Sequence, residues 1–331
     1  VGSSNLSSPT MSSVFRGDGT LAKLRGDGTL TDMNSVSDDP TWQCVMIAWG
    51  EKYGPDIINH TVRAVQRHTH PAPRFVLITD RERPGLDPCV QTVPFDPWYL
   101  KALFRTRACQ AKLVMFEKGV LPEDLPAVYI DLDTAVLGDL TRAVDLMDSP
   151  ERILMLQSVV LQFGWMGRLV YRLTNKKRYA RGNSSVVVFH PAHSHFIAES
   201  FRRLYDAHGG AHFRPMIADE RFISWAAQER IERLPKSLAL KFTNEYMHPL
   251  KALLYLRGAL PWVKARRAAP VAVTLPGPVV KPDELVTFRD GMEIRDWKRR
   301  WLIWNRRTLG DMGERLQEYY APLHPDASAR D

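Results

Sequence analysis

The sequence predicts an α/β fold, a single folded unit whose mostly parallel central sheet is flanked by helices. Two observations carry this. Short apolar runs alternate with stretches of helical periodicity from Trp42 onward. The 331 residues are 44% hydrophobic and 25% charged, enough to bury a large core. No window approaches the roughly 18 consecutive apolar residues of a spanning helix, which argues against an integral membrane protein.

Residues 1–38 are rich in Ser, Gly and Asp, repeat RGDGTL at Arg16–Leu21 and Arg25–Leu30, and lack apolar periodicity. They read as a disordered tail without a signal peptide. Cys44–Trp49, stopped by Gly50, is a first strand. Pro55–His68 places Ile57, Ile58, Val62 and Val65 at helical spacing behind a proline suited to a first turn. Phe75–Thr79 and Val90–Val93 are further strands, Tyr99–Lys118 a long helix, and Val128–Ile130 a fourth strand. Later come strands at Ile153–Gln157, Ser185–Phe189 and Val271–Thr274, and helices at His193–His208 and Asp219–Glu229. Trp297–Tyr320 reads as helical and basic at its start.

Three scattered cysteines, Cys44, Cys89 and Cys109, argue against a disulfide framework or zinc cluster and fit a reducing cytoplasm. His190, His193 and His195 lack the spacing of a known metal site. The net charge is +8, and residues 251–307 carry thirteen Lys and Arg against five acids. Trp297, Trp301 and Trp304 in that segment would align on one side of a helix. Such a stripe suits either docking on an anionic membrane surface or packing on the folded unit. With no recognition motif beside the charge, nucleic acid is not an expected partner.

Chemistry concentrates in Ala127-Val-Tyr-Ile-Asp131-Leu-Asp133-Thr-Ala-Val-Leu-Gly138-Asp139-Leu140. Asp131 and Asp133, two apart on an extended chain, project to one side. An apolar strand running into two carboxylates needs a balancing cation or donors. Hard oxygens at a strand end suit Mg²⁺ or Mn²⁺ together with substrate phosphates.

This segment resembles the Asp-x-Asp region of nucleotide-sugar glycosyltransferases with the GT-A fold, especially family 8 and related bacterial glycosyltransferase-like proteins. Other segments follow in the expected order: Val45–Tyr53, Thr79-Asp80, Trp98-Tyr-Leu-Lys101, Asn183-Ser-Ser-Val-Val-Val-Phe189 and Ala218-Asp219-Glu220. The resemblance implies a GT-A-like domain over residues 42–282, followed by a basic, Trp-rich helical extension over 283–331. It implies metal-dependent, retaining transfer of a hexose from a nucleoside diphosphate sugar, foremost a UDP-sugar, to a glycan or lipid-linked acceptor. Asp131 and Asp133 would then hold Mn²⁺ or Mg²⁺. Trp49, Tyr53, Asp80, Lys101 and Lys281 would meet the nucleotide sugar, and Asn183 and Asp219 would act at the reacting sugar. The same residues have plainer uses: Lys101 as a solvated lysine, Asn183 as a turn residue, Asp219 as a helix cap, Tyr53 as a packed aromatic. The protein would be cytoplasmic, peripheral to the inner face of the membrane.

Two departures stand out. Where the family has His-x-x-Gly before Lys-Pro, this chain reads Thr274-Leu-Pro-Gly277-Pro-Val-Val-Lys281-Pro282, with Thr at the place of the histidine ligand and one extra residue before the lysine, which leaves the third metal ligand open. The family's Asp-Gln pair is Asp219-Glu220. A run of Arg168, Arg172, Lys176, Lys177, Arg178 and Arg181 falls where the family's loops shape the acceptor site, and suits either an anionic acceptor or a solvated loop. Rival readings are a catalytically degenerate nucleotide-binding protein and a haloacid-dehalogenase-type phosphatase with its nucleophile in the Asp-x-Asp strand end.

Overall fold

The computed structural model describes residues 13–15, 21–24, 30–32, 39–105, 109–157, 161–212, 214–275 and 279–324. The chain divides into two units, Val1–Asp39 and Pro40–Asp331. In the first, β1 (Ser13–Phe15), β2 (Leu21–Leu24) and β3 (Leu30–Asp32) pair antiparallel. The rest of the expected tail over 1–38 lies outside the described residues.

The second unit is built on seven strands: β4 (Gln43–Ala48), β5 (Arg74–Thr79), β6 (Val90–Pro94), β7 (Ala127–Ile130), β9 (Ile153–Gln157), β10 (Gly182–Phe189) and β11 (Ile231–Leu234). Between β7 and β9 lies the short β8 (Thr134–Val136). The sheet order is β11-β9-β10-β7-β4-β5-β6, and only β10 runs against its neighbours. β4 and β5 are almost wholly buried, as apolar runs covered on both faces require. One face packs on the helix Pro55–His68 through Ile58, Val62 and Val65; the other buries Val45, Ile47, Val76 and Ile78 against Phe201, Phe222 and their neighbours.

A second sheet, ordered β12-β13-β8, joins β12 (Ala239–Lys241) and β13 (Ala272–Thr274) to β8. The chain thus leaves the central sheet after Ile130 and enters the small one at Thr134, which places Asp131 and Asp133 on the step between them.

Two expected helices differ. Tyr99–Lys118 is three 3₁₀ segments, Pro97–Leu100, Ala102–Arg105 and Gln110–Phe116, with Cys109 left-handed at φ 56° before the last. A left-handed residue cannot continue a helix, and all of Gln110–Phe116 is buried, so no solvated face exists for amphipathic packing. The helix expected from Trp297 begins instead as a hairpin of β14 (Met292–Arg295) and β15 (Trp301–Trp304). Asp296 closes its turn by accepting from Arg300 N–H (2.8 Å) and Arg300 Nε (2.8 Å), with Arg299 at φ 61°. The proposed tryptophan stripe therefore does not form. Trp297 is 75% exposed in the turn, whereas Trp304 is buried against Phe288 and Phe242. After β15, α-helices form at Arg306–Leu309 and Met312–Tyr320.

Much of the basic excess here is structural. Buried Glu245 gathers Arg257 (3.3 Å), Arg266 (2.6 Å), Arg267 (3.1 Å) and Lys236 (3.7 Å). Arg267 also donates to the carbonyls of Glu245 and Thr308, tying the C-terminal elements to this hub. A Cβ on Gly258 would lie 2.1 Å from the Arg307 carbonyl oxygen, so the helix Lys251–Ala259 and the turn after β15 meet backbone to backbone.

Candidate active site

The loops after β4 and β5 are locked together by Arg83, which donates to the carbonyls of Tyr53 (2.7 Å) and Gly50 (2.8 Å) and to Thr79 Oγ1 (2.9 Å). Asp80 accepts from Gly50 N–H at 3.1 Å and from Arg81. Burial raises its carboxyl, but these donors outweigh it and the net shift is downward. Trp49 stands edge-on to Phe95 at 6.3 Å. Tyr53 takes a hydrogen bond from Lys52. Burial, then the charges of Asp133 and Asp131, push its hydroxyl up, so Tyr53 lies within the field of the acidic pair.

That pair is held from both sheets. Asp131 N–H donates to the Ser185 carbonyl (2.9 Å), Thr134 N–H to the Asp131 carbonyl (2.9 Å), and Leu275 N–H to the Asp133 carbonyl (3.2 Å). The partner that sequence reasoning missed is Lys112. From the buried 3₁₀ segment its Nζ reaches Asp131 Oδ1 at 2.6 Å and Asp219 Oδ2 at 3.9 Å. The Tyr129 hydroxyl also donates to Asp131 Oδ1. Lys281 stands 4.0 Å from Asp133 Oδ2.

The two carboxylates consequently differ. Burial works to raise Asp131, but Lys112 and the hydrogen bonds around it prevail and hold it below the ordinary range. Asp133 is pushed up to about 6, first by burial and then by the charge of Asp131, which Lys112 and Lys281 only partly offset. Lys112 stays protonated well above its usual value, because Asp131 and its neighbours overcome the burial that disfavours its charge.

Beside the pair, β10 breaks register against β9 between Asn183 and Val187. Ser184 Oγ donates to Asp219 Oδ2 (2.6 Å), and Asn183 Nδ2 donates to Glu220 Oε2 (2.9 Å). Asp219 is not an N-cap: it lies inside the first turn, after Ala218, and burial pushes its carboxyl up to about 6. A cleft of about 710 Å³ opens from Asn183 and Glu220, bordered by Gln157, Gln162, Lys241 and Lys298.

The structure thus brings Asp131, Asp133, Tyr53, Lys281 and Asp219 into one neighbourhood, with Asn183 beside it. Lys101 goes elsewhere: its Nζ lies over Trp98 (4.4 Å) and Tyr205 (4.5 Å). Thr274 pairs with Thr134 across the small sheet, next to Asp133. Gly277 lies outside the described residues. Among the described residues, no group of three or more His, Cys, Asp or Glu is gathered for a metal ion.

The titration of Asp133 gives a prediction. A carboxyl whose folded value lies above its unfolded value near 4 leaves the folded state holding more protons, so its contribution to stability falls as pH rises from about 4 to about 6. Asp133→Asn removes that loss, so its stability relative to wild type should climb across this window in chelator-treated samples. Urea denaturation at several pH values reads the difference directly; a flat difference would contradict the assignment.

No family model matches the chain, and no curated protein matches it in sequence. Solved structures match it in fold. The bifunctional glycosyltransferase WbbM superposes with a TM-score of 0.53 at 13% identity, over 92% of this chain and 54% of WbbM. The galactosyltransferase LgtC, solved with donor and acceptor sugar analogs, gives 0.51 at 14%, over 85% of this chain and 95% of LgtC. The glycosyltransferase GlyE of Streptococcus pneumoniae TIGR4 gives 0.50 at 12%, over 85% of this chain and 60% of GlyE.

The chain has the GT-A glycosyltransferase fold.

The present chain spans only about half of WbbM and three fifths of GlyE, but nearly the whole of LgtC. Within the GT-A fold, the step from β7 to β8 carries the Asp-x-Asp pair, and the disturbed start of β10 brings Asn183 and Asp219 beside it.

Proposed function

We propose that this protein transfers a hexose, in the retaining manner of family 8, from a nucleoside diphosphate sugar, foremost a UDP-sugar, to a glycan or lipid-linked acceptor. The observation that carries the reading is the Asp131–Asp133 pair, half-buried on the step between the two sheets with Lys112 against Asp131 and Lys281 against Asp133. A phosphatase reading has no comparable support from the fold neighbours.

The donor set fits a divalent cation of the Mg²⁺ or Mn²⁺ kind. Both side chains offer hard oxygens, and the nearest described ion-pair partner of Asp133 is Lys281 at 4.0 Å. Its carboxyl is raised by burial and by Asp131, a conflict that a divalent charge relieves. Two protein carboxylates suffice where diphosphate and water complete the coordination. Bound there, the cation would stabilise negative charge on the departing diphosphate.

The chain's own residues supply the rest. Lys281, partly exposed beside Asp133, meets a phosphate oxygen, and Tyr53 and Asp80 border the nucleoside side. Asn183 orients sugar hydroxyls while Glu220 fixes its amide. Asp219, held by Ser184, faces the reacting sugar, and the cleft beyond Asn183 takes the acceptor.

A thermal-shift screen with UDP, GDP and their sugars, with Mn²⁺ and with EDTA, tests the reading. A ligand of the folded state at about a hundred times its Kd adds close to 3 kcal/mol of stability. The expected result is stabilisation by UDP with Mn²⁺ that EDTA removes. Binding without turnover on a broad acceptor panel would favour the degenerate nucleotide-binding protein. No shift with any nucleotide would end both readings.

A further inference from the structure

The cleft is bordered by Gln162 and Gly182, and the chain segment between them contains the helix Trp165–Leu173. This helix is turned inside out relative to an ordinary surface helix. Its buried positions are Gly167 and Tyr171, the latter donating from its hydroxyl to the Trp225 carbonyl at 3.1 Å. A Cβ on Gly167 would meet the Gln162 carbonyl oxygen at 2.6 Å and Ala180 Cβ at 3.2 Å, so the helix sits tight on its support. The opposite side is apolar and bare: Trp165 is 74% exposed, Met166 49%, Leu169 46% and Leu173 77%. At about 100° per residue these four fall within an arc of roughly 100°, facing away from Gly167 and Tyr171.

We propose that this face docks the protein on an anionic lipid surface. The charges around it select that occupant. No acidic residue occurs between Glu151 and Glu199, while Arg168, Arg172, Lys176, Lys177, Arg178 and Arg181 all follow the start of the helix. The acids reaching the face come from elsewhere and are already engaged: Glu229 by Arg172 at 2.5 Å, and Glu232 by Arg168 at 3.2 Å and Arg152 at 3.4 Å. Lys176, Lys177, Arg178 and Arg181 stay exposed. The turn that presents the first three is built: Lys176 N–H donates to the Tyr171 carbonyl (2.8 Å), and Arg178 N–H to Thr174 Oγ1 (3.0 Å). An exposed indole and long aliphatic side chains, next to cations at a helix C-terminus, match the boundary between acyl chains and anionic headgroups. The surface differs from the C-terminal tryptophans, where no helix forms over 297–304. It also stands apart from catalysis, since docking requires no transfer reaction.

The test is co-sedimentation of the whole protein with vesicles of phosphatidylcholine alone and with about three parts in ten phosphatidylserine. Binding is expected only to the anionic vesicles and should fall steeply between about 50 mM and 500 mM salt. The triple variant Trp165→Ser, Leu169→Ser, Leu173→Ser should lose roughly ten-fold or more in vesicle affinity. The charge variant Lys176→Glu, Lys177→Glu, Arg178→Glu should do the same. Both sets are exposed, so unchanged melting temperature and unchanged UDP response would show that fold and nucleotide site persist. Trp262→Ser with Trp297→Ser, at exposed tryptophans elsewhere, should leave binding intact. The proposal is overturned if wild type ignores anionic vesicles at low salt, or if the triple variant binds as wild type does. It is also overturned if only the Trp262 and Trp297 changes abolish binding. Sedimentation velocity showing a dimer that the triple variant dissolves, without vesicle binding, would assign the face to a second copy of the chain instead.

Discussion

Asp133→Asn is expected to abolish cation-dependent UDP binding, lowering affinity at least roughly a hundred-fold, while leaving the ligand-free protein as stable as wild type or more so near neutral pH. The two effects have one origin. The Asp133 carboxyl is half-buried beside Asp131 and has Lys281 only at 4.0 Å, so without a cation its charge is a liability. With a cation between the pair, that charge becomes the ligand. Asparagine keeps the size and discards the charge. Asp131→Asn should abolish binding equally but behave oppositely in stability, because Lys112 then loses its partner at 2.6 Å. Isothermal calorimetry with UDP and Mn²⁺, repeated in EDTA, together with urea denaturation of both variants, separates the outcomes. Unchanged affinity in either variant, or equal affinity in EDTA, would sink the cation site; equal stability effects would sink the asymmetry.

The central sheet was legible because its strands are short apolar runs with clear stops. Pro55–His68 and Ile153–Gln157 were read to the residue, since a proline start and Val, Ile and Leu periodicity leave little choice. The Asp-x-Asp step was legible for the same reason: carboxylates after an apolar strand demand an explanation. Lys112 was not. A lysine among Ala111, Leu113, Val114 and Met115 looks like the solvated face of a helix, and only the left-handed Cys109 and the burial of the whole segment turn it inward. Lys101, chosen from a motif, sits over Trp98 and Tyr205 instead. Trp301-Leu-Ile-Trp304 satisfied a helical period and a strand composition alike, and the Asp296–Arg300 turn decided between them. The basic run after Trp165 was visible; that its neighbouring leucines face solvent is a tertiary fact with no local signal.

Lys112→Met should be the most destabilising single change at the site, costing about 3–5 kcal/mol at neutral pH, the usual price of leaving a buried charge unpaired. Methionine fills the space of the aliphatic stem, so the loss is electrostatic rather than a cavity. Without the ammonium, half-buried Asp131 and buried Asp219 lie near one another with no cation between them, and Asp133 adds a third negative charge. Burial then dominates Asp131 as it already dominates Asp219, and its carboxyl moves from below the ordinary range to above it. The sign of the pH dependence follows. In wild type, the depressed Asp131 contributes stability above its unfolded value near 4 that is lost as pH falls. In the variant, the raised carboxyl contributes stability at low pH that is lost as pH rises, so the deficit against wild type should shrink on acidification. Adding Asp131→Asn to Lys112→Met should return part of the loss, because the orphaned charge is gone. A double-mutant cycle in urea therefore predicts coupling of about 1–3 kcal/mol between Lys112 and Asp131. Additive effects, or a deficit independent of pH, would mean that the lysine is held by packing alone and that the acidic pair is balanced some other way.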